Sequence, residues 1–433
     1  MRRIGETVDA ATAFLGAVVA SVTLFLPVTV NTMSQSTPYR ISSLMNSGPR
    51  GATIGVIVAV AVAVLVTTTT RTVTGWATAL TGATGQLINH FAVPDAASAD
   101  LLTTQNYIDS VCGAVLLGAL GAVALRRPLL AVAFAVGGVG ILAFGDLAEL
   151  LGIAPDPYSV LETPPRWSIG LAVVLLVFST LRNLTRTVKS TTPEVAVELP
   201  ITPILAAMVL ALVVLAGSEW LGRQFTKAPE ESHAVEIGIV VAATIVAATA
   251  AAMLLPGRDG IGVYLAVSLS AAVDAVGYEA RPGWSLLVLI ALTTCGVIFS
   301  ARLPSVALAI LLVTGIVAFA LVTSMAASRV GFAAISAAIA VTAGYCCGTA
   351  RPRSAPSGVL AIAALYLPSA VSVLPARNKE WRDDVAMHDS TPGRTALAIV
   401  IGSAIGLFVL RKFRPRSNPN ANGQSGSEPL ADI

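Results

Sequence analysis

Apolar runs of about twenty residues recur along this chain from end to end, each long enough to cross roughly 30 Å of hydrocarbon at about 1.5 Å per helical residue. They occupy approximately residues 10–30, 51–70, 108–125, 128–153, 167–185, 201–222, 235–255, 261–277, 284–300, 304–323, 329–347, 356–375 and 395–410. A chain built this way has the bilayer as its solvent. Composition agrees, since 55% of the 433 residues are hydrophobic and 12% are charged, against about 25% charged in an ordinary soluble domain. Mean hydropathy is +0.79. So few charges could not cover the surface of a soluble protein of this length. The longest polar stretches are about twenty residues, too short for an independent core. The expected fold is therefore all-α, a polytopic transmembrane helix bundle of about 13–14 spanning helices with no soluble domain. The helical domain is expected over 1–416, and the Asn/Gly/Ser/Pro-rich stretch 417–433 as a disordered cytoplasmic tail.

Thirteen runs create a topological conflict. Arg2-Arg3 and the cluster Arg411-Lys412-Phe413-Arg414-Pro415-Arg416 both belong in the cytoplasm by the positive-inside rule, and an odd number of crossings cannot put both ends there. The segment 73–93 resolves the conflict by crossing. It is mildly apolar, with Trp76, Leu80, Leu87 and Phe91, yet carries Gln86, Asn89 and His90. Fourteen crossings put sixteen of the 27 basic residues inside, Arg126, Arg127, Arg182 and Arg302 among them, and leave Asp109 and most other acids in outer loops. The alternative is an amphipathic helix lying on the surface, which returns the count to thirteen. The first run is too long for a signal-peptide core and no small-x-small cleavage pattern follows it, so it reads as a retained helix. The expected location is the cell membrane, multi-pass, with the C-terminus cytoplasmic and the N-terminus beside it.

Ionisable residues within spans are the default functional candidates, because burying one in lipid costs a few kcal/mol. Asp146, Glu149 and Glu219 lie about 27 Å or more along their helices, where a carboxylate reaches interfacial water. Asp274 lies about 20 Å into its run, among Ser268, Ser270 and Ala271. It wants a partner or a water-filled cavity, and serves proton coupling, ligand contact or a structural helix–helix hydrogen bond. Pro27 and Pro368 interrupt apolar runs, and each removes a backbone hydrogen bond and frees a carbonyl. Together with the polar face of 73–93, these give a candidate coupling or substrate path of Asp274, His90, Asn89, Gln86, Pro27 and Pro368. The outer loop 376–394 gathers Trp381, Asp383, Asp384 and His388, a candidate docking surface and otherwise a solvated charged loop.

Other patterns carry less. Gly402 and Gly406 make a GxxxG packing face. The hairpins 121–141 and 296–317 each place an arginine and a proline between apolar helices, which suggests a weak two-fold internal repeat. Cys112, Cys295, Cys346 and Cys347 form neither a CxxC pair nor a disulfide framework and read as inert thiols. Arginine far outnumbers lysine, and Ala, Val and Gly dominate, a bias that suits a GC-rich bacterial genome.

No Walker A, HExxH or GxSxG pattern is present. No catalytic residue, metal ligand or cofactor is therefore assigned, and an enzyme is not expected. A net charge of +3 implies no nucleic-acid partner; the expected partners are the lipid bilayer and other proteins of a membrane complex. The leading expectation is a secondary transporter or flippase that moves a small or lipid-linked solute without ATP hydrolysis. The alternatives are a non-catalytic subunit of a bacterial secretion or envelope-assembly complex and, behind both, a lipid-processing enzyme.

Overall fold

In a computed structural model of the chain, the described residues are 2–24, 38–69, 71–92, 99–140, 142, 166–184, 201–227, 233–277, 285–322, 329–350, 352–374 and 390–414. The first half of the chain supplies helices α1 (Arg2–Leu24), α2 (Pro38–Thr67), α3 (Thr72–Ala92), α4 (Ala99–Ala124), α5 (Pro128–Gly138) and α6 (Arg166–Asn183). There follow α7 (Thr202–Lys227), α8 (Ala234–Leu254), α9 (Ile261–Val276) and α10 (Ser285–Arg302). The last four are α11 (Val306–Val322), α12 (Arg329–Ala350), α13 (Ala355–Ala363) and α14 (Thr391–Phe413), with a 3-10 turn, Ala364–Tyr366, continuing α13.

Eight of these helices (α1, α2, α4, α7, α8, α10, α12 and α14) contain segments long and apolar enough to cross a membrane. Helices α5, α9, α11 and α13 are apolar but shorter. The protein is a multi-pass helical membrane bundle. Its outer surface confirms the solvent it is built for. Leu287 and Phe299 on α10 and Ile405 and Phe408 on α14 are exposed, an arrangement suited to lipid and unfavourable in water. At the centre lies α9, in which fifteen of sixteen residues are buried. A helix apolar on every face belongs inside.

Helix association in lipid depends on close packing of small residues. Gly118 of α4 lies against Ala59 of α2 so closely that a Cβ there would stand 2.2 Å from the Ala59 carbonyl oxygen. Between α10 and α12 the contact is reciprocal, Gly296 meeting the Val341 carbonyl and Gly344 the Thr293 carbonyl. Gly402 and Gly406, the GxxxG pair, receive Ile245 of α8 and Tyr264 of α9.

The structure revises several boundaries. Residues 38–50 are helical, with Pro49 inside α2, so helix replaces much of the first expected outer loop. Helix α3 is a member of the bundle, running antiparallel along α4 with Gly82 against Cys112 and Leu116, and its polar face is buried. The surface-lying alternative is thereby set aside. Helix α4 starts at Ala99, nine residues before the apolar run, so Asp109, counted with the outer acids although it is the second residue of that run, lies eleventh in a helix. The run expected to reach residue 375 stops being helical at Tyr366. Pro368 is the reason, because it has no N–H to donate and holds Leu367 extended, at φ −67° and ψ 140°.

Candidate functional site

One helix is interrupted part-way across the bundle, and a second is only locally distorted. Helix α5 opens with Pro128 after an extended Arg127 and runs eleven residues to Gly138. Val139 then keeps helical dihedrals and its bond to the Ala135 carbonyl, and Gly140 and Leu142 are helical again. Helix α13 opens where Ser354 accepts a hydrogen bond from the Ser357 amide, and with its 3-10 turn it runs twelve residues to Tyr366, about 20 Å. Helix α13 is therefore shorter than a hydrocarbon layer about 30 Å thick. Its end touches α5, where the buried Tyr366 hydroxyl donates to the Gly138 carbonyl. Ser21 of α1 hydrogen-bonds the Tyr366 hydroxyl and lies 3.4 Å from the Gly137 carbonyl.

Beyond Tyr366 the chain passes through Pro368 into a turn closed by Ser369, whose oxygen accepts from the amides of Val371 and Ser372. The Ser369 hydroxyl donates to Asp274 Oδ2. Asp274 thus finds the partner that its position demands, in the last turn of α9, just before Gly277 caps the helix with φ 82°. A cavity opens here, lined by Val214, Thr244, Val267, Ser270, Pro368 and Ser369. It has room for about one water molecule.

A second polar region lies where α3, α4 and α1 meet. Gln86, Asn89 and His90 share one buried face of α3, as i, i+3, i+4 spacing dictates. Gln86 donates to Thr23 on α1 at 2.7 Å. Asn89 donates to Asp109 Oδ1 at 2.8 Å and to the Gln105 carbonyl at 3.1 Å. His90 Nε2 lies 3.0 Å from Asp109 Oδ2, both side chains being at most 5% exposed. Nearby, Asn106 donates to Ser47, and Arg50 pairs with Glu219 at 2.6 Å.

Two further acids anchor the opposite end of the bundle. Asp9 of α1, wholly buried, lies 3.2 Å from Arg182 of α6 and 3.7 Å from Arg127 at the start of α5. Asp259, in the α8–α9 turn, accepts from the Arg353 and Ser354 amides at 2.9 and 3.1 Å and from the Ser354 hydroxyl at 3.2 Å. It fixes the start of α13. Arg414 closes the same end by donating to the carbonyls of Met253, Leu255 and Gly257.

Of the sequence-derived path residues, the structure joins Gln86, Asn89 and His90 in one cluster and puts Asp274 beside the Pro368 break in another. Pro27, and the docking-loop residues Trp381, Asp383, Asp384 and His388, lie outside the described residues, as do Asp146, Glu149 and the tail. Sequence reading missed Asp9, Asp109 and Asp259. Asp9 and Asp259 sit in charged segments next to apolar runs and Asp109 at the edge of one, so the burial of each depends on which helix packs against it. Among the described residues, no group of three His, Cys, Asp or Glu side chains is arranged to hold a metal ion.

No protein-family model matches the chain. No curated protein matches it by sequence. Among solved structures, it is similar to the crystal structure of a POT family transporter in complex with 5-aminolevulinic acid. The identity is 11%, the likeness covers 95% of each chain, and the TM-score is 0.40. So loose a likeness carries no argument about activity.

Proposed function

We propose that this protein is a secondary transporter whose substrate passes between α5 and the interrupted helix α13, drawing on an ion gradient. The observation that carries the reading is the end of α13 against α5, where Tyr366 meets Gly138, beside a cavity lined by Ser270 and Ser369. A helix interrupted within one half frees backbone carbonyls, and transporters built of two halves hold solute and ion at such breaks.

The packing supports two such halves, α1–α6 and α9–α14, joined by α7 and α8. Helix α2 lies along α4 as α10 lies along α12, and α6 packs on α1 and α3 as α14 packs on α9 and α11. Helix α5 crosses to α10 and α12, while α13 crosses to α2 and α4. This pairs α5 with α13, whereas the arginine–proline turns in the sequence pair α4–α5 with α10–α11. Both termini are assigned to the cytoplasm, with the end that carries Arg126, Arg182, Arg302 and Arg353. Asp274, held by Ser369, is the carboxylate nearest the break and contacts the solute or its coupling ion.

A non-catalytic subunit of a membrane complex is the competing reading. It is favoured by the size of the cavity, which admits only about one water. Paired spin labels separate the two without knowledge of the solute. Labels at Leu184 and Leu303 report the arginine-rich end, and labels at Phe91 and Val322 the other, all in protein lacking its four native cysteines. A transporter in lipid nanodiscs gives two distances at each end, one end opening as the other closes. Single, invariant distances at both ends, with a stoichiometric protein retained in mild detergent, would establish the subunit reading instead.

A further inference from the structure

Asp109 is a carboxylate 2% exposed, in a helix whose neighbours on the α3 face are an imidazole and an amide. Asn89 occupies its Oδ1 as a donor, and His90 Nε2 faces its Oδ2. A buried carboxylate keeps its charge only where a positive partner compensates it. Histidine is the side chain whose charge changes near neutral pH. With one proton on His90 the pair is neutral overall; without it, an uncompensated carboxylate is left in the bundle. At 3.0 Å the two groups touch, but His90 Nε2 makes no aligned hydrogen bond, so a proton there has an acceptor already in reach.

Few other charged or titratable groups face the pair. Arg50 of α2 is held by Glu219 of α7, and Arg166 of α6 stands over the Phe91 ring at 5.7 Å. Tyr107 and Cys112 share α4 with Asp109, and α1 brings Thr23, bound to Gln86. From α5 and α13 the nearest such group is Tyr366, at the interruption. Gln86 Oε1 is buried without a hydrogen-bond partner, one turn from His90. In the second half, α11 and the buried part of α12 carry neither carboxylate nor imidazole. The ionisable pair belongs to one half alone.

We infer that His90 and Asp109 form a single proton-binding couple, the site at which the transporter proposed above takes up its coupling proton. The proton binds to His90 Nε2 and is shared toward Asp109 Oδ2. It leaves to solvent water when that end of the bundle opens, and the bare carboxylate then draws water in. The inference rests on the transport reading, but its test is separate.

Replacing His233 and His388 with glutamine leaves His90 as the chain's one histidine, with the couple intact. In nanodiscs, 15N NMR of that imidazole across about pH 5 to 9 should show one titration. Asp109→Asn should lower its midpoint by about one pH unit or more, because the charge that favours imidazolium is gone. Asp109→Glu should restore the midpoint. The spin-label distances should depend on pH in the parent protein and lose that dependence in Asp109→Asn. An identical midpoint with and without Asp109, or no titration in either, overturns the inference. If the distances alternate but their pH dependence survives Asp109→Asn, transport stands and this proton site falls.

Discussion

Asp9 and its two arginines give a cycle of substitutions in which the order of damage is set by burial. Arg182 lies 3.2 Å and Arg127 3.7 Å from a carboxylate with no exposed surface, while the arginine side chains are 26% and 34% exposed. At an effective dielectric of about 20, a pair at 3.2 Å attracts by about 5 kcal/mol. Most of that offsets the cost of desolvating the carboxylate, so the net value of the pair is far smaller. Arg182→Gln leaves the buried charge to Arg127 alone and should cost about 3–5 kcal/mol. Asp9→Asn leaves two arginines that can turn to water, and should cost about 1–2 kcal/mol. The double variant should resemble Asp9→Asn, so the coupling energy should equal the cost of Arg182→Gln, about 3–5 kcal/mol, between positions in direct contact. The assay is equilibrium unfolding in mixed micelles of mild detergent and dodecyl sulfate, followed by far-ultraviolet circular dichroism. Gly5→Ala is an independent handle, because its Cβ would land on the Arg182 guanidinium and push it aside. The reasoning is refuted if Arg182→Gln is no worse than Asp9→Asn, or if the coupling is below about 0.5 kcal/mol.

Two further outcomes follow from packing and capping. Asp259→Ala strips the acceptor from the Arg353 and Ser354 amides and should destabilise the bundle by about 2–4 kcal/mol, with Asp259→Asn intermediate in the same unfolding assay. Gly344→Val drives a side chain into the Thr293 backbone and should abolish folded expression, whereas Gly315→Ala, with open space around it, should be neutral or slightly stabilising. Size-exclusion profiles in detergent distinguish the two.

How much of this was readable beforehand differs between fold and site. The apolar runs name the membrane as solvent because run length is matched directly to bilayer thickness, and each marks a helix, although α1, α2, α4 and α13 depart from their runs by eight residues or more at one end. Pro368 was readable as a break, since a missing N–H acts wherever the residue sits. Gln86, Asn89 and His90 were readable as one face, since helical spacing is a local property. Their significance was not. Whether α3 buries that face or floats it at the surface depends on α4. Asp109, the residue that answers His90, stood at the edge of its apolar run, where it was counted with the outer acids, because the first nine residues of α4, mostly polar, make no apolar run.

The sequence by itself determined that this chain is a stack of greasy helices and where those helices are flawed. Flaws and spans alike are written in consecutive residues. Only the tertiary structure decided which flaws meet: Gly138 with Tyr366, Asp274 with Ser369, Asp9 with Arg182. Those partners are separated by some 90 to 230 positions along the chain, and their meeting depends on how glycine-lined helices dock, which no local pattern encodes.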